Sequence, residues 1–262
     1  MDLHWMHVYE NDSIDSLKQL STIMNDCFYK SMLTVYHSSR SDFWIKCANI
    51  INLEHKFKYM LAIRPYAITP EYFIMMYRAF NEIQKNRIMF NIVSGDIKDS
   101  ESCIDNMIIN QNQFDTSQKR VQYTYDWLNK VRQILGEKNM PEIVMSGTSE
   151  KTLLNASKIS DYTLCMLDSF LDNPKKFKVT KRSMVCAAIV IADTNKQAEN
   201  IVDNIEQKHQ KKWTIFGTEE KVINKILELK SFGVTDLLIR RHLNDPNYES
   251  VHNLVKKFKG EI

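Results

Sequence analysis

The chain has 262 residues, 44% of them hydrophobic and 26% charged, with only six Gly and five Pro. Average usage would give roughly 18 and 13, which excludes collagen-like, proline-rich and Gly/Ser-linker classes. A net charge of +3 is too mild for an ordinary nucleic-acid reader.

Along the chain, apolar runs at 3–9, 31–36, 58–63, 87–93, 142–146, 162–166, 182–192 and 236–240 read as short strands covered on both faces. Helical spacing fills the gaps. Residues 13–25 place Ile14, Leu17, Leu20 and Met24 on one stripe. Residues 70–84 open with Thr69-Pro70-Glu71, an N-cap followed by proline at the first helical position. Helices at 117–135, 150–159, 195–207 and 219–230 follow, the last stopped by Gly233. Eight strand–helix alternations imply an α/β fold, a (β/α)8 TIM barrel in a single domain over 1–262. A doubly wound open sheet is the alternative. One stretch, 97–116, is long, polar and aperiodic, the signature of a functional or a mobile loop.

The five cysteines are widely spaced without a Cys-x-x-Cys pair, so neither a disulfide framework nor a zinc knuckle is expected. No cationic-then-apolar leader and no run of about 18 apolar residues is visible. The expectation is a soluble, cytoplasmic protein with no nucleic-acid and no membrane partner.

Active sites of barrels gather at the C-terminal ends of the strands. Those ends deliver His7, His37 with Arg40, Arg64, Asn91 with Ser94, Ser146, and Arg240, Arg241 and His242. Three histidines could hold a metal, but the spacing is not diagnostic and no carboxylate accompanies them, so no metal is expected. The arginines suit a phosphate, sulfonate or carboxylate. The plain alternative is polar residues capping strand ends. A second candidate is Ser146-Gly147-Thr148-Ser149, where a strand runs into a helix. Its glycine, hydroxyls and helix-start amides suit an anion, while a simple capping turn explains the same residues.

The segment LAIRPYAITPEYFIMMYRAFNEIQKNRIMFNIVSGD (61–96) resembles the bacterial luciferase-like flavin monooxygenases, especially their alkanesulfonate monooxygenase branch. Arg64-Pro65, Thr69-Pro70, Asn86-Arg87 and Asn91-Ile92-Val93-Ser94-Gly95 match that pattern in order. PEIVMSGTSEKTLLNASKISDYTL (141–164) is similar to the family's fifth strand, phosphate turn and following helix, and 215–240 to its closing segment.

The resemblance implies a barrel enzyme that receives reduced FMN from a separate NAD(P)H-dependent flavin reductase. It then uses O2, through a flavin C4a-peroxide, on a small organic substrate that is anionic or sulfonate-like. Ser94 would contact the flavin, and Ser146, Gly147, Thr148 and Ser149 would hold the phosphate. Arg64, Arg240 and Arg241 would bind substrate, with His7, His37 and Arg40 at the reaction centre. A homodimer or homotetramer is expected.

Departures are specific. The family's phosphate-contacting Tyr before the fourth helix is Val121 here and its His is Ser117, although Arg120 is kept. Cys186 and Ala188 stand where sulfonate enzymes carry Arg and His. The excursion between the last two strands reads as shortened, without the family's lid. A degenerate, non-catalytic flavin-binding protein or partner subunit is therefore the alternative function.

Overall fold

The computed structural model describes residues 1–7, 13–35, 42–95, 114–204, 208–241 and 248–260. All eight expected strands form: β1 (Asp2–His7), β2 (Ser31–Thr34), β3 (Lys58–Ile63), β4 (Ile88–Val93), β5 (Glu142–Ser146), β6 (Tyr162–Met166), β7 (Arg182–Ile191) and, last in the chain, β9 (Asp236–Arg240). A ninth strand, β8 (Thr214–Gly217), was not expected. The sheet order is β6-β5-β4-β3-β2-β1-β9-β7-β8, and an additional β6–β7 pairing closes the eight expected strands. That is the strand order of a (β/α)8 barrel. Each pairing whose register is resolved is parallel.

The helices are α1 (Ile14–Asp26), α2 (Phe43–Ile50), α3 (Pro70–Ile83), α4 (Ser117–Leu135), α5 (Glu150–Ile159), α6 (Leu167–Asp172), α7 (Asn195–Asp203), α8 (Glu219–Ser231) and α9 (Glu249–Gly260). Short side chains start most of them as their sequence predicts. Ser13, Asp42, Thr69, Thr116, Ser149, Thr194 and Thr218 each accept a backbone N–H of the first turn. Helices α2, α6 and α9 are additions to the expected set. The first two are too short to show a clear period.

Contacts divide the chain into two compact units, 1–32 with 55–57 and 164–262, and 33–54 with 58–163. In the first, β1 pairs β9 from Asp2↔Asp236 to Met6↔Arg240. β9 in turn pairs β7 from Met184↔Asp236 to Ala188↔Arg240. The pleat sends alternate side chains to opposite faces. On one face, at the N-terminal ends, His4 Nε2 meets Asp236 Oδ1 at 2.9 Å and His4 Nδ1 meets Ser31 Oγ at 2.7 Å. Arg182 donates to both Asp236 oxygens and to Asp2, at 2.5–2.8 Å. Thr235 Oγ1 donates to Asp236 Oδ2 at 2.5 Å. Burial alone would push the Asp236 carboxyl up, but the hydrogen bonds of His4, Thr235 and Arg182 outweigh it and hold the group below its usual range.

The second unit has an aromatic core. Phe90 of β4 lies 4.8 Å from Phe73 of α3 and 5.3 Å from Trp44 of α2, ring centre to ring centre, and Trp127 of α4 lies 4.9 Å from Phe73. Edge-on and offset contacts of this kind add stabilisation beyond the buried area. One α2 turn and the long α4 are thereby fixed on the strands whose C-terminal ends carry the candidate site.

The excursion between β7 and β9 carries the two helices expected at 195–207 and 219–230 together with elements the sequence did not predict. It holds α7, a 3-10 segment Lys208–Trp213, strand β8 and α8. Among the described residues no helix is long and apolar enough to cross a membrane.

Candidate active site

In the second unit, three strand ends converge in sequence and register on polar residues. β3 ends at Ile63 and hands on to Arg64, whose Nη1 donates to Tyr66 Oη at 2.6 Å. The turn that follows is held at both ends: Ala67 N–H donates to the Arg64 carbonyl, and Trp127 Nε1 donates to the Ile68 carbonyl at 2.7 Å. A cavity of about 720 Å³ opens beside it, lined by Arg64, Trp44, Ile63, Tyr72, Met76 and Asp42, whose Oδ1 is taken by the Trp44 and Ile45 N–H groups. An apolar wall with one guanidinium is a chemistry for an organic anion.

β4 runs through buried Asn91 to Ser94 and Gly95. Gly95 has φ +83, and a Cβ there would stand 2.9 Å from Tyr66 Oη, so only glycine lets the strand end approach the Arg64–Tyr66 pair this closely. Arg120, only 2% exposed, donates to the Gly95 carbonyl at 3.3 Å and to the Phe114 carbonyl at 2.7 Å. It fixes the backbone on both sides of 96–113.

β5 ends at Ser146, whose Oγ donates to Asn91 Oδ1 at 2.6 Å. Gly147 follows at φ +146, where a Cβ would lie 2.7 Å from Thr152 Cγ2. Ser149 caps α5, its Oγ accepting the Thr152 N–H at 3.1 Å and bonding the Thr152 hydroxyl at 2.7 Å. The capping reading of this turn is therefore realised at Ser149. Thr148 and the N–H groups of Glu150 and Lys151, the first two of the ten-residue α5, have no hydrogen-bond partner among the described residues. Their positive end, with Lys151 in the first turn, fits a phosphate; Glu150 opposes it.

In the first unit, the two arginines after β9 part company. Arg240 lies over the Trp213 ring at 5.9 Å, and Trp213 Nε1 donates to Asp168 Oδ2 at 3.0 Å. Arg241 instead stacks over Tyr248 at 4.6 Å, leading to α9. The structure does not bring the pair together: Arg240 ends β9 and Arg241 lies beyond it. Cys186, on the pleat face of Arg240, donates its thiol hydrogen to Met6 Sδ at 3.9 Å. Burial pushes that thiol up to about 11, while Arg240 pulls it back, so it stays protonated and inert.

His7 ends β1 on the pleat face of Leu3 and Trp5, and Trp5 packs 4.7 Å from the His252 ring of α9. His37, Arg40 and His242 lie outside the described residues, as does 96–113 of the polar loop. Among the described residues no three His, Cys, Asp or Glu side chains gather as around a metal ion.

Sequence reading passed over Tyr66, Trp213 and Asp168. Tyr66 had a signal, following Arg64-Pro65 directly; Trp213 and Asp168 sit in segments with no periodic pattern. It also passed over Ser31, His4 and Asp236, residue types of a hydrolytic triad. Ser31 and His4 are fully buried, and Ser31 meets Nδ1 rather than Nε2, so no substrate can reach a nucleophile there.

No family model matches the sequence. Solved structures do superpose on it. An F420-dependent secondary alcohol dehydrogenase in complex with an F420–acetone adduct is 12% identical, with TM-score 0.73 over 98% of this chain and 97% of that one. The oxygenating constituent of 3,6-diketocamphane monooxygenase from Pseudomonas putida, in complex with FMN, is 13% identical, with TM-score 0.74 over 100% and 97%. A long-chain alkane monooxygenase is 10% identical, with TM-score 0.78 over 99% and 91%. At such identities the likeness is one of fold.

Proposed function

We propose that the chain is a flavin-dependent monooxygenase, receiving reduced FMN from a separate NAD(P)H-dependent flavin reductase and working as a homodimer or homotetramer. The observation that carries this reading is the turn after β5, where Gly147 at φ +146 precedes a helix start at which Ser149 caps Thr152 and the N–H groups of Glu150 and Lys151 remain as donors. Proteins of the same fold described with FMN or as monooxygenases support it. When bound, reduced FMN supplies the electrons with which O2 is activated.

The chain's own residues then do the rest. Thr148 and the amides of α5 hold the phosphate, with Ser146 oriented by Asn91. Ser94 faces the flavin from the end of β4. Arg64, fixed by Tyr66, anchors an anionic or sulfonate-like substrate whose apolar part lies along Trp44 and Tyr72. Arg240, braced by Trp213, offers a second cation. Histidine suits proton transfer near neutral pH; His7 or His37 is assigned that role, and Arg40 is assigned to the anion at the reaction centre. His7 is the one to test by substitution, because it alone of the three lies among the described residues.

Mixing the protein with reduced FMN and O2 under stopped flow tests the enzyme. The expected result is a transient absorbance, distinct from reduced and oxidised flavin, that outlasts anything seen with free FMN. Oxidation at the free-flavin rate would leave a flavin-binding protein without turnover. Gly147→Arg fills the turn and is expected to abolish FMN binding by fluorescence titration, while an unchanged Kd would move the site elsewhere. His7→Gln is expected to lower kcat without changing FMN affinity.

A second reading, hydride transfer with the deazaflavin F420, is favoured by superposing proteins described as F420-dependent. Tighter binding of F420 than of FMN in the same titration would select it.

A further inference from the structure

Among the described residues strand β8 has one neighbour. It pairs β7 from Ala188↔Thr214 to Ile191↔Gly217 and stands at the end of the sheet order. The Gly217 carbonyl accepts the Ala192 N–H at 3.1 Å. In a parallel ladder every second residue turns its main-chain groups to the same neighbour. Ile215 therefore faces β7 with Gly217, and Phe216 turns its N–H and carbonyl to the open edge. Neither Phe216 group has a backbone partner among the described residues.

A groove of about 450 Å³ borders this edge, entirely within the first unit. Its apolar surface comes from Leu167 and Leu171 of α6 and from Ile215 and Phe216 of β8. Lys212 and Lys221 add two cations with no ion-pair partner among the described residues, and Lys221 lies 5.3 Å from the Phe216 ring. Lys225, also in the groove, is already paired with Glu228 at 2.8 Å. The free charge beside the edge is thus positive.

Edge strands left open in this way are usually shortened, charged or covered, because they template pairing with another chain. Here the charges are lysines placed beside an apolar floor instead of across it. We propose that the β8 edge is a docking site for an extended, acidic segment of a partner protein, added as a strand beside Phe216. Main-chain hydrogen bonds give such a complex its affinity, and alternate side chains give it specificity. Carboxylates on one face of the segment meet Lys212 and Lys221, and an apolar residue between them rests on Leu171 and Ile215. The argument stands apart from the cofactor reading, since no residue of the Ser146–Ser149 turn takes part.

The test uses the full chain and a fluorescein-labelled, acetylated and amidated hexapeptide of alternating Val and Glu. Fluorescence polarisation is expected to show saturable binding, and hydrogen exchange at the Phe216 amide to slow when the peptide is present. The Lys212→Glu, Lys221→Glu double variant, whose changes are on exposed side chains, is expected to bind at least tenfold more weakly with an unchanged far-UV circular dichroism spectrum. The same peptide N-methylated at alternate residues cannot donate to the edge, and it is expected not to bind. Binding of the N-methylated peptide, equal binding by the double variant or a Val/Lys peptide, or no binding at all would overturn the proposal. A concentration-dependent dimer dissolved by Lys212→Glu would assign the edge to a second copy and overturn it as well.

Discussion

The two ends of the strands handle polar side chains in opposite ways. At the N-terminal ends of β1, β7 and β9, both nitrogens of His4 and both oxygens of Asp236 are taken, and Arg182 bridges two carboxylates. At the C-terminal ends of β3 and β5, Arg64 is held by Tyr66 and lines a cavity, and Thr148 has no hydrogen-bond partner among the described residues. A saturated network in a dry interior stabilises and cannot be reached; a half-satisfied set at a strand end is ready for a ligand. The difference separates the residues that keep this fold together from those that can act.

Asp236→Ala tests the closed end and carries the largest expected effect. It strands His4 without its carboxylate and leaves Arg182 with Asp2 alone, and loss of one partner of a buried pair costs about 3–5 kcal/mol. Urea denaturation measures it; a loss below about 1 kcal/mol would mean that the network adds little beyond apolar packing.

Next comes acid. Burial lowers His252 from 6.5 to about 4, so between those values the unfolded chain binds a proton that the folded one refuses. Stability therefore falls as pH drops through that window, by on the order of 3 kcal/mol. Its ring meets Tyr29 Oη at 3.0 Å and stacks near Trp5 and Tyr248, and Arg241 over Tyr248 adds positive charge rather than a counter-ion. His252→Phe is expected to flatten the pH dependence of the urea midpoint between those values. A wild-type slope persisting in the variant would place the titration elsewhere. Asp236, held below the usual carboxylate range, contributes at lower pH still: its stabilisation is present above about 3.9 and is lost as pH falls through its folded value.

Ser146→Ala probes the open end and has the smallest effect on stability. It removes one hydrogen bond to Asn91, worth about 1 kcal/mol, and it is expected to weaken FMN binding more than it lowers the urea midpoint. A loss matching that of Asp236→Ala would erase the contrast between the two ends.

The strands were legible because their apolar runs are compact and bounded, and the start of β5 through α5 was read residue by residue. What escaped were short elements and long-range pairings. β8 is four residues with a glycine, too short for periodicity, and α6 is barely a turn and a half. Arg241 was grouped with Arg240 because they are adjacent, whereas Arg240 ends β9 over Trp213 and Arg241, beyond it, lies over Tyr248. The Arg120 side chain, kept as a motif letter, proves to hold two carbonyls on either side of 96–113.

By itself the sequence determined the alternation of strands and helices, the caps that start the helices, and the glycine at the turn after β5. These follow from local periodicity, small polar side chains and the φ values open to glycine. Tertiary structure alone decided that His4, Asp236 and Arg182 form one network across 232 residues of chain, and that Arg64 is tied to Tyr66. It alone left the Phe216 edge open. Each of those outcomes depends on register and pleat, and nothing in the local sequence encodes which partner a strand will face.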